Sequence, residues 1–221
     1  MFRKLIDLLF PPKCYFCREL LDKDETDLCH TCRREAPVFI SEKMSLQYVA
    51  QWTAVWYYKG KVRGCIRRFK FWNARGCADF FGRLLAVKLQ DWDCLQDIDV
   101  ITWTPVSILR RLRRGYDQTY LIVKTLCREL GGKPTRTLIR IKHAKPLAGM
   151  AVSKAHRAAA IKGAYCAVNK RRFAGKNVLL VDDVLTTGAT AEETAKTLMM
   201  AGAKNVYFAA IAAVNQNKQP K

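Results

Sequence analysis

The sequence predicts an α/β fold, a parallel sheet with helices on both faces, with a small cysteine-rich unit in front of it. Three observations predict this. Short apolar runs at 99–103, 177–181 and 205–214 alternate with stretches whose apolar residues recur at helical spacing, the pattern of a buried parallel sheet. Four cysteines near the N-terminus form two C-x-x-C pairs, Cys14/Cys17 and Cys29/Cys32, with eleven residues between them. The chain has 221 residues, half of them hydrophobic, enough for one substantial core and a small appendage, and too apolar for a disordered basic tail.

Residues 2–10 are basic and then greasy, interrupted by Asp7 and stopped by Pro11 and Pro12. A short amphipathic helix is expected there, and no export signal, because no small-residue cleavage site follows. Apolar stretches elsewhere are broken by charge or proline before they could span a membrane, so a cytoplasmic protein without a membrane span is expected. In such a compartment nine cysteines are a poor disulfide framework. Each C-x-x-C pair instead forms a knuckle whose thiolates converge, and two knuckles complete a tetrahedron, so Cys14, Cys17, Cys29 and Cys32 are read as ligands of a structural zinc. The polar segment 18–28 is too short to bury a core, and the metal would supply its folding energy. Cys65, Cys77, Cys94, Cys127 and Cys166 stand singly in apolar surroundings and read as small core residues.

Beyond the ribbon, 47–58 alternates aromatic and small residues as a strand does, and 62–72 and 78–92 have helical spacing. A buried strand at 99–103 ends at Thr104-Pro105, and a helix at 116–130 is closed by Gly131-Gly132. A brief strand is expected at 138–142, a fully apolar one at 177–181, a helix at 189–200 ending near Gly202, and a last strand at 205–214. The organisation expected is an N-terminal helix and ribbon over 1–45, the α/β domain over 46–214 and a disordered tail over 215–221.

The charge balance points to a polyanion. Thirty-nine Lys and Arg stand against nineteen Asp and Glu, a formal net charge of +20. No acid occurs from 130 to 181, where twelve residues are basic, and 51–78 carries seven basic residues interleaved with aromatics. Lys59, Lys61, Arg63, Arg67 and Lys70, with Arg110 and Arg114, are candidates for nucleic-acid contact. Basic runs attract phosphates, and aromatics stack on unpaired bases, so a nucleic acid with unpaired bases suits these residues. Several aromatics at 52–58 must be core, and only two or three of the set are expected at the surface.

Against that excess, the stretch VLLVDDVLTTGAT at 178–190 sets two acids side by side. Ligands of open parallel sheets bind at the C-terminal ends of strands, which is where Asp182 and Asp183 fall. The loop Thr186, Thr187, Gly188, Ala189 and Thr190 then enters a helix, and its amides and hydroxyls suit a phosphate. Carboxylates beside a phosphate cradle would repel the phosphate itself and suit a neighbouring hydrogen-bond donor, such as ribose hydroxyls. A ribose 5-phosphate fits the whole stretch.

This stretch resembles the phosphoribosyl pyrophosphate motif of type I phosphoribosyltransferases. Thr104, Pro105, Val106 and Ser107, followed by Arg110, Arg111, Arg113 and Arg114, look like a pyrophosphate-side loop with a cationic rim. The run from Arg113 to Gln118 resembles the Arg-Gly-Phe-Asn-Gln block of ComF-like competence proteins. So do the four-cysteine ribbon and the run from Tyr58 to Arg63 with Phe69-Lys70-Phe71 after it. The chain is thus similar to the ComF family over nearly its whole length. The resemblance implies a type I phosphoribosyltransferase-like domain that takes phosphoribosyl pyrophosphate with Mg²⁺. It also implies a role in natural transformation, with single-stranded DNA and the DNA-uptake machinery as partners. The alternative is a transferase of nucleotide metabolism that moves ribosyl phosphate to a nitrogen nucleophile and releases pyrophosphate. Ala160 stands where the family pattern has Asn, and 143–149 lacks its Thr and Gln, which bears on turnover more than on sugar-phosphate binding.

Overall fold

The computed structural model describes residues 11–40, 44–142 and 154–215. The expected helix at 2–10, the 143–149 segment and the tail from 216 lie outside the described residues. Its strands are β1 (Trp52–Tyr57), β2 (Val100–Trp103), β3 (Leu138–Arg140), β4 (Tyr165–Ala167), β5 (Asn177–Leu185) and β6 (Asn205–Ala213). Its helices are α1 (His30–Arg34), α2 (Gly60–Phe71), α3 (Cys77–Gln90), α4 (Ile108–Arg114), α5 (Gln118–Glu129), α6 (Lys154–Ile161) and α7 (Ala189–Met200).

β1, β6, β5 and β2 form one four-stranded sheet in that order, all pairs parallel. A parallel sheet covered on both faces needs apolar side chains at successive positions, and β6 is buried from Val206 through Ala213. One core lies between the sheet and α2, α3 and α5, with Leu179, Val181, Phe81 and Ile122 in it. The other, on the opposite face, joins Val178, Leu180 and Phe208 to Leu198 of α7 and Phe173. Among the described residues no helix is long and apolar enough to cross a membrane.

Two strand boundaries differ most from the sequence reading, which also does not predict α4, α6 and β4. The first strand begins only at Trp52, because 47–50 form a turn in which Tyr48 takes φ 65°. The strand expected to end at 181 continues to Leu185, because β6 goes on offering partners after β2 has stopped. Cys65, Cys77, Cys94 and Cys127 are buried, whereas Cys166 is exposed. It lies on β4, whose only ladder is the two-stranded antiparallel pair with β3, so one face of that strand stays wet.

The cysteine-rich unit packs on the first core and does not stand apart. Tyr15 stacks on Phe80 at 4.9 Å between ring centroids, and Phe16 meets Trp56 edge-on at 5.2 Å. The Arg68 guanidinium donates to the Phe16 carbonyl at 3.1 Å, and Arg83 pairs with Asp27 at 2.8 Å.

α3 and α5 approach closely at Gly82, where a Cβ would lie 2.5 Å from Thr125 Cβ and 2.8 Å from the Ile122 carbonyl oxygen. Gly82→Ala is therefore expected to destabilise the fold by about 1–3 kcal/mol through overpacking. Urea denaturation measures this, and an unchanged midpoint would show that the two helices separate freely.

Candidate functional site

The metal knuckles come first in the chain. The sulfurs of Cys14, Cys17, Cys29 and Cys32 all lie within 4.8 Å of one another, and those of Cys17 and Cys29 are 3.8 Å apart. A tetrahedron with zinc–sulfur bonds of about 2.3 Å has edges of about 3.8 Å, so the donor set fits zinc. Burial alone would raise the Cys14 thiol, but hydrogen bonds from the backbone of Cys29, Cys17 and Phe16 bring it down to about 7. Burial, and then the neighbouring sulfurs, push Cys32 up to about 12, and burial raises Cys17, so the set is not uniformly predisposed to the thiolate form.

The acid pair sits where β5 outruns β2, whose last partner is Val181. Successive residues of a strand face opposite sides. Leu179 and Val181 enter the core beside α3 and α5, and Asp183 continues that set. Its carboxylate is 2.6 Å from Lys70 Nζ at the end of α2 and accepts a 2.9 Å bond from Gln118 Nε2 at the start of α5. Gln118 is held in turn by Arg114, whose guanidinium lies over the Phe71 ring at 5.5 Å. Asp183 is only 4% exposed, so this cage is what makes its charge tolerable there. Asp182 lies on the other side of the strand and accepts a 2.7 Å bond from the Asp183 amide. Burial, then the Asp183 charge, pushes its carboxyl up to about 8, against a weaker downward pull from Lys70. The pair therefore works as one held carboxylate and one half-buried acid, not as two equivalent grips.

The loop 186–190 follows and runs into the N-terminus of α7. Gly188 takes φ 84°, and a Cβ there would lie 2.5 Å from Leu46 Cδ2. Leu46, buried in the second core, thus props this turn, and the Gln47 N–H reaches Glu192 on α7 at 3.3 Å. Thr186, Thr187 and Thr190 are half-buried, while Gly188 and Ala189 are buried. Across the strand ends lies 104–107: the Thr104 N–H donates to the Val181 carbonyl at 2.9 Å, and Ser107 caps α4 by accepting from the Arg110 N–H. The Val106 N–H reaches Asp117 at 3.4 Å, and Pro105 is buried. Thr104 Oγ1 is buried without a hydrogen-bond partner. Arg113 and Arg110 are exposed on α4.

The candidates for nucleic-acid contact divide. Lys59, Arg63 and Arg67 are exposed along α2. Lys61 is also exposed but pairs with Glu35 of the ribbon at 3.3 Å. Lys70 and Arg114 belong to the Asp183 cage. Of the aromatics in 51–78, Phe71 and Trp72 are the strongly exposed ones, at 66% and 75%. Sequence reasoning missed Leu46 and assigned Gln118 no task. Gln118 closes the quoted Arg113-to-Gln118 block, a visible signal, whereas nothing in the sequence marks Leu46.

Two outcomes follow. Lys70→Met leaves a buried carboxylate with Gln118 as its remaining partner and should lower stability by about 3 kcal/mol, near the lower end for a broken buried pair because the ammonium keeps some water. Adding Asp183→Asn should recover part of that loss, and urea titration of the double-mutant cycle reads it. Asp182 adds a pH dependence of definite sign. Its carboxyl titrates at about 8 in the fold against an ordinary 3.8, so the native state holds a proton that the unfolded chain releases. Stability on this account falls as pH rises from about 4 towards 8. Asp182→Asn should be relatively more stable than the parent at pH 8 than at pH 5, which denaturation midpoints at the two pH values check.

Comparisons with known proteins concern the two parts of the chain and its whole length. Residues 5–45 match the double zinc ribbon domain family and residues 119–221 the phosphoribosyl transferase domain family. Among solved structures, the chain is similar to the allosteric regulatory enzyme of purine biosynthesis (21% identity, TM-score 0.42). It is also similar to the glutamine phosphoribosylpyrophosphate amidotransferase of B. subtilis (22% identity, TM-score 0.43). In both cases 62% of this chain is covered, and it spans about a quarter (26%) of the solved chain. Competence protein ComFC of Bacillus subtilis is 25% identical, with 86% of this chain and 78% of that protein covered. Competence protein F of Haemophilus influenzae is 30% identical over 219 residues, with 88% of this chain and 93% of that protein covered. A four-cysteine ribbon ahead of a parallel sheet, matched at that identity over nearly both full lengths, places the chain in the competence protein F/ComFC family.

Proposed function

We propose that this chain is a competence-associated accessory protein that binds phosphoribosyl pyrophosphate or a related sugar phosphate and handles single-stranded DNA on the cytoplasmic side of uptake. The observation that carries the sugar-phosphate reading is the pairing of a caged acid with an anion-ready turn. Asp183 is locked by Lys70 and Gln118, and the next loop turns at Gly188 directly into the positive end of α7. The turn takes the 5-phosphate, and Asp182 faces the sugar hydroxyls. The 104–107 loop takes the pyrophosphate end, where the unpartnered Thr104 hydroxyl offers an oxygen at the same strand ends. Carboxylate and hydroxyl oxygens are the donors that a pyrophosphate-bound Mg²⁺ accepts, so the residues fit that ion, which supplies charge neutralisation when bound.

The DNA reading rests on charge and exposure. The chain carries +20, Lys59, Arg63, Arg67 and Arg110 face solvent, and the rings of Phe71 and Trp72 are exposed. The relatives' names connect such proteins with competence, and the uptake machinery is the partner class that follows.

Calorimetry with phosphoribosyl pyrophosphate and Mg²⁺ tests the first part. The zinc-loaded chain should bind, and Gly188→Ala should bind at least about tenfold more weakly, because the added methyl collides with Leu46 and φ 84° disfavours it. Absence of binding heat in the parent chain would refute the sugar-phosphate reading. Pyrophosphate release in the same samples with added nucleobases separates binding from turnover.

A further inference from the structure

A spacious cleft lies away from the acid pair, neither of whose acids lines it. It has a volume of about 1170 Å³ and lies on the far side of the 104–107 loop, between α4, α5 and the β3 edge. Pro105 and Val106 form part of its wall, so the cleft and the sugar-phosphate site share that loop.

Two kinds of side chain line it. Trp103 and Tyr120 pair with ring centroids 5.0 Å apart and planes inclined at 53°. Trp103 is oriented by donating its Nε1–H to Asp117 at 3.3 Å, while Tyr120 is 37% exposed. Deeper in, Tyr116 lies under the Arg75 guanidinium at 5.0 Å. Around these rings stand Arg111, Lys124 and Arg136, all exposed and all basic. The acids on the wall are already engaged: Asp79 pairs with Arg128 at 3.5 Å, and Asp117 caps α5.

We infer that this cleft is the path of a single-stranded nucleic acid, whose unpaired bases stack on Trp103 and Tyr120 and whose phosphates pair with Arg111, Lys124 and Arg136. The assignment rests on the single-strand reading proposed above and gives it a location. The cleft is larger than small-molecule pockets of about 300–1,000 Å³, and rings combined with cations in one concavity are what a single strand requires. A duplex presents no base faces to such a wall. The outer face of α2 has cations and two exposed rings, whereas this cleft brings rings and cations together in one concavity. A strand lying in the cleft passes along the 104–107 loop at Pro105 and Val106.

The test uses the full, zinc-loaded chain and fluorescein-labelled oligothymidylate, read by anisotropy at several salt concentrations. Tyr120→Ala should weaken binding about tenfold, because base–aromatic stacking is lost. Lys124→Glu and Arg136→Glu should each lower the slope of log affinity against log salt by roughly 0.7. Arg171→Glu, an equal charge change on an exposed turn outside the cleft, is the control and should have a distinctly smaller effect. Circular dichroism melting confirms that the variants fold. If the three cleft variants bind as the parent does, or if Arg171→Glu matches the two charge reversals, the location is overturned while DNA binding itself survives. Competition by polyglutamate as strong as by unlabelled DNA also overturns it, since the cleft would then read charge alone. Absence of DNA binding in the parent overturns both the location and the wider reading.

Discussion

The ion pair between Lys70 and Asp183 is the constraint on which the rest of the site depends. A carboxylate at the end of a central strand, 4% exposed, survives only with a partner, and the cation that supplies it is on α2. α2 is fixed at three points along its length. Lys61 reaches Glu35, Arg68 reaches the Phe16 carbonyl, and Lys70 reaches Asp183. Two of those anchors lie in the cysteine ribbon. The four sulfurs that organise the ribbon therefore help to decide where a cation meets the acid pair, about one helix length away. The zinc knuckles are thus part of the scaffold that holds the acid pair, not an independent appendage.

The same reasoning explains which features were legible in the sequence. β5 and β6 show as apolar runs because a parallel sheet covered on both faces admits almost nothing else at these positions. The knuckles show because zinc fixes cysteine spacing locally, and the 182–190 stretch shows because acid pair, turn and helix are contiguous. Leu46 does not show, because its role lies in touching Gly188, 142 positions later, and a leucine looks alike wherever it packs. Lys70 shows in the sequence only as a basic residue, because charge there does not reveal its partner, Asp183. Cys166 looked like core because its neighbours are apolar, but a two-stranded ribbon has a wet face.

Asp117 links the two halves of the functional surface. It caps α5, accepts from the Val106 amide of the 104–107 loop and orients the Trp103 indole on the cleft wall. Burial holds its carboxyl above the ordinary range, against the downward pull of the bonds from the Tyr120 and Val106 amides and the Trp103 indole. The next residue, Gln118, grips Asp183. Two adjacent side chains at one helix start thus position the aromatic wall of the cleft and the caged acid at the end of β5. Because Asp117 and Gln118 share that helix start, a substitution that moves the α5 N-terminus bears on both the Trp103 indole and the Asp183 carboxylate.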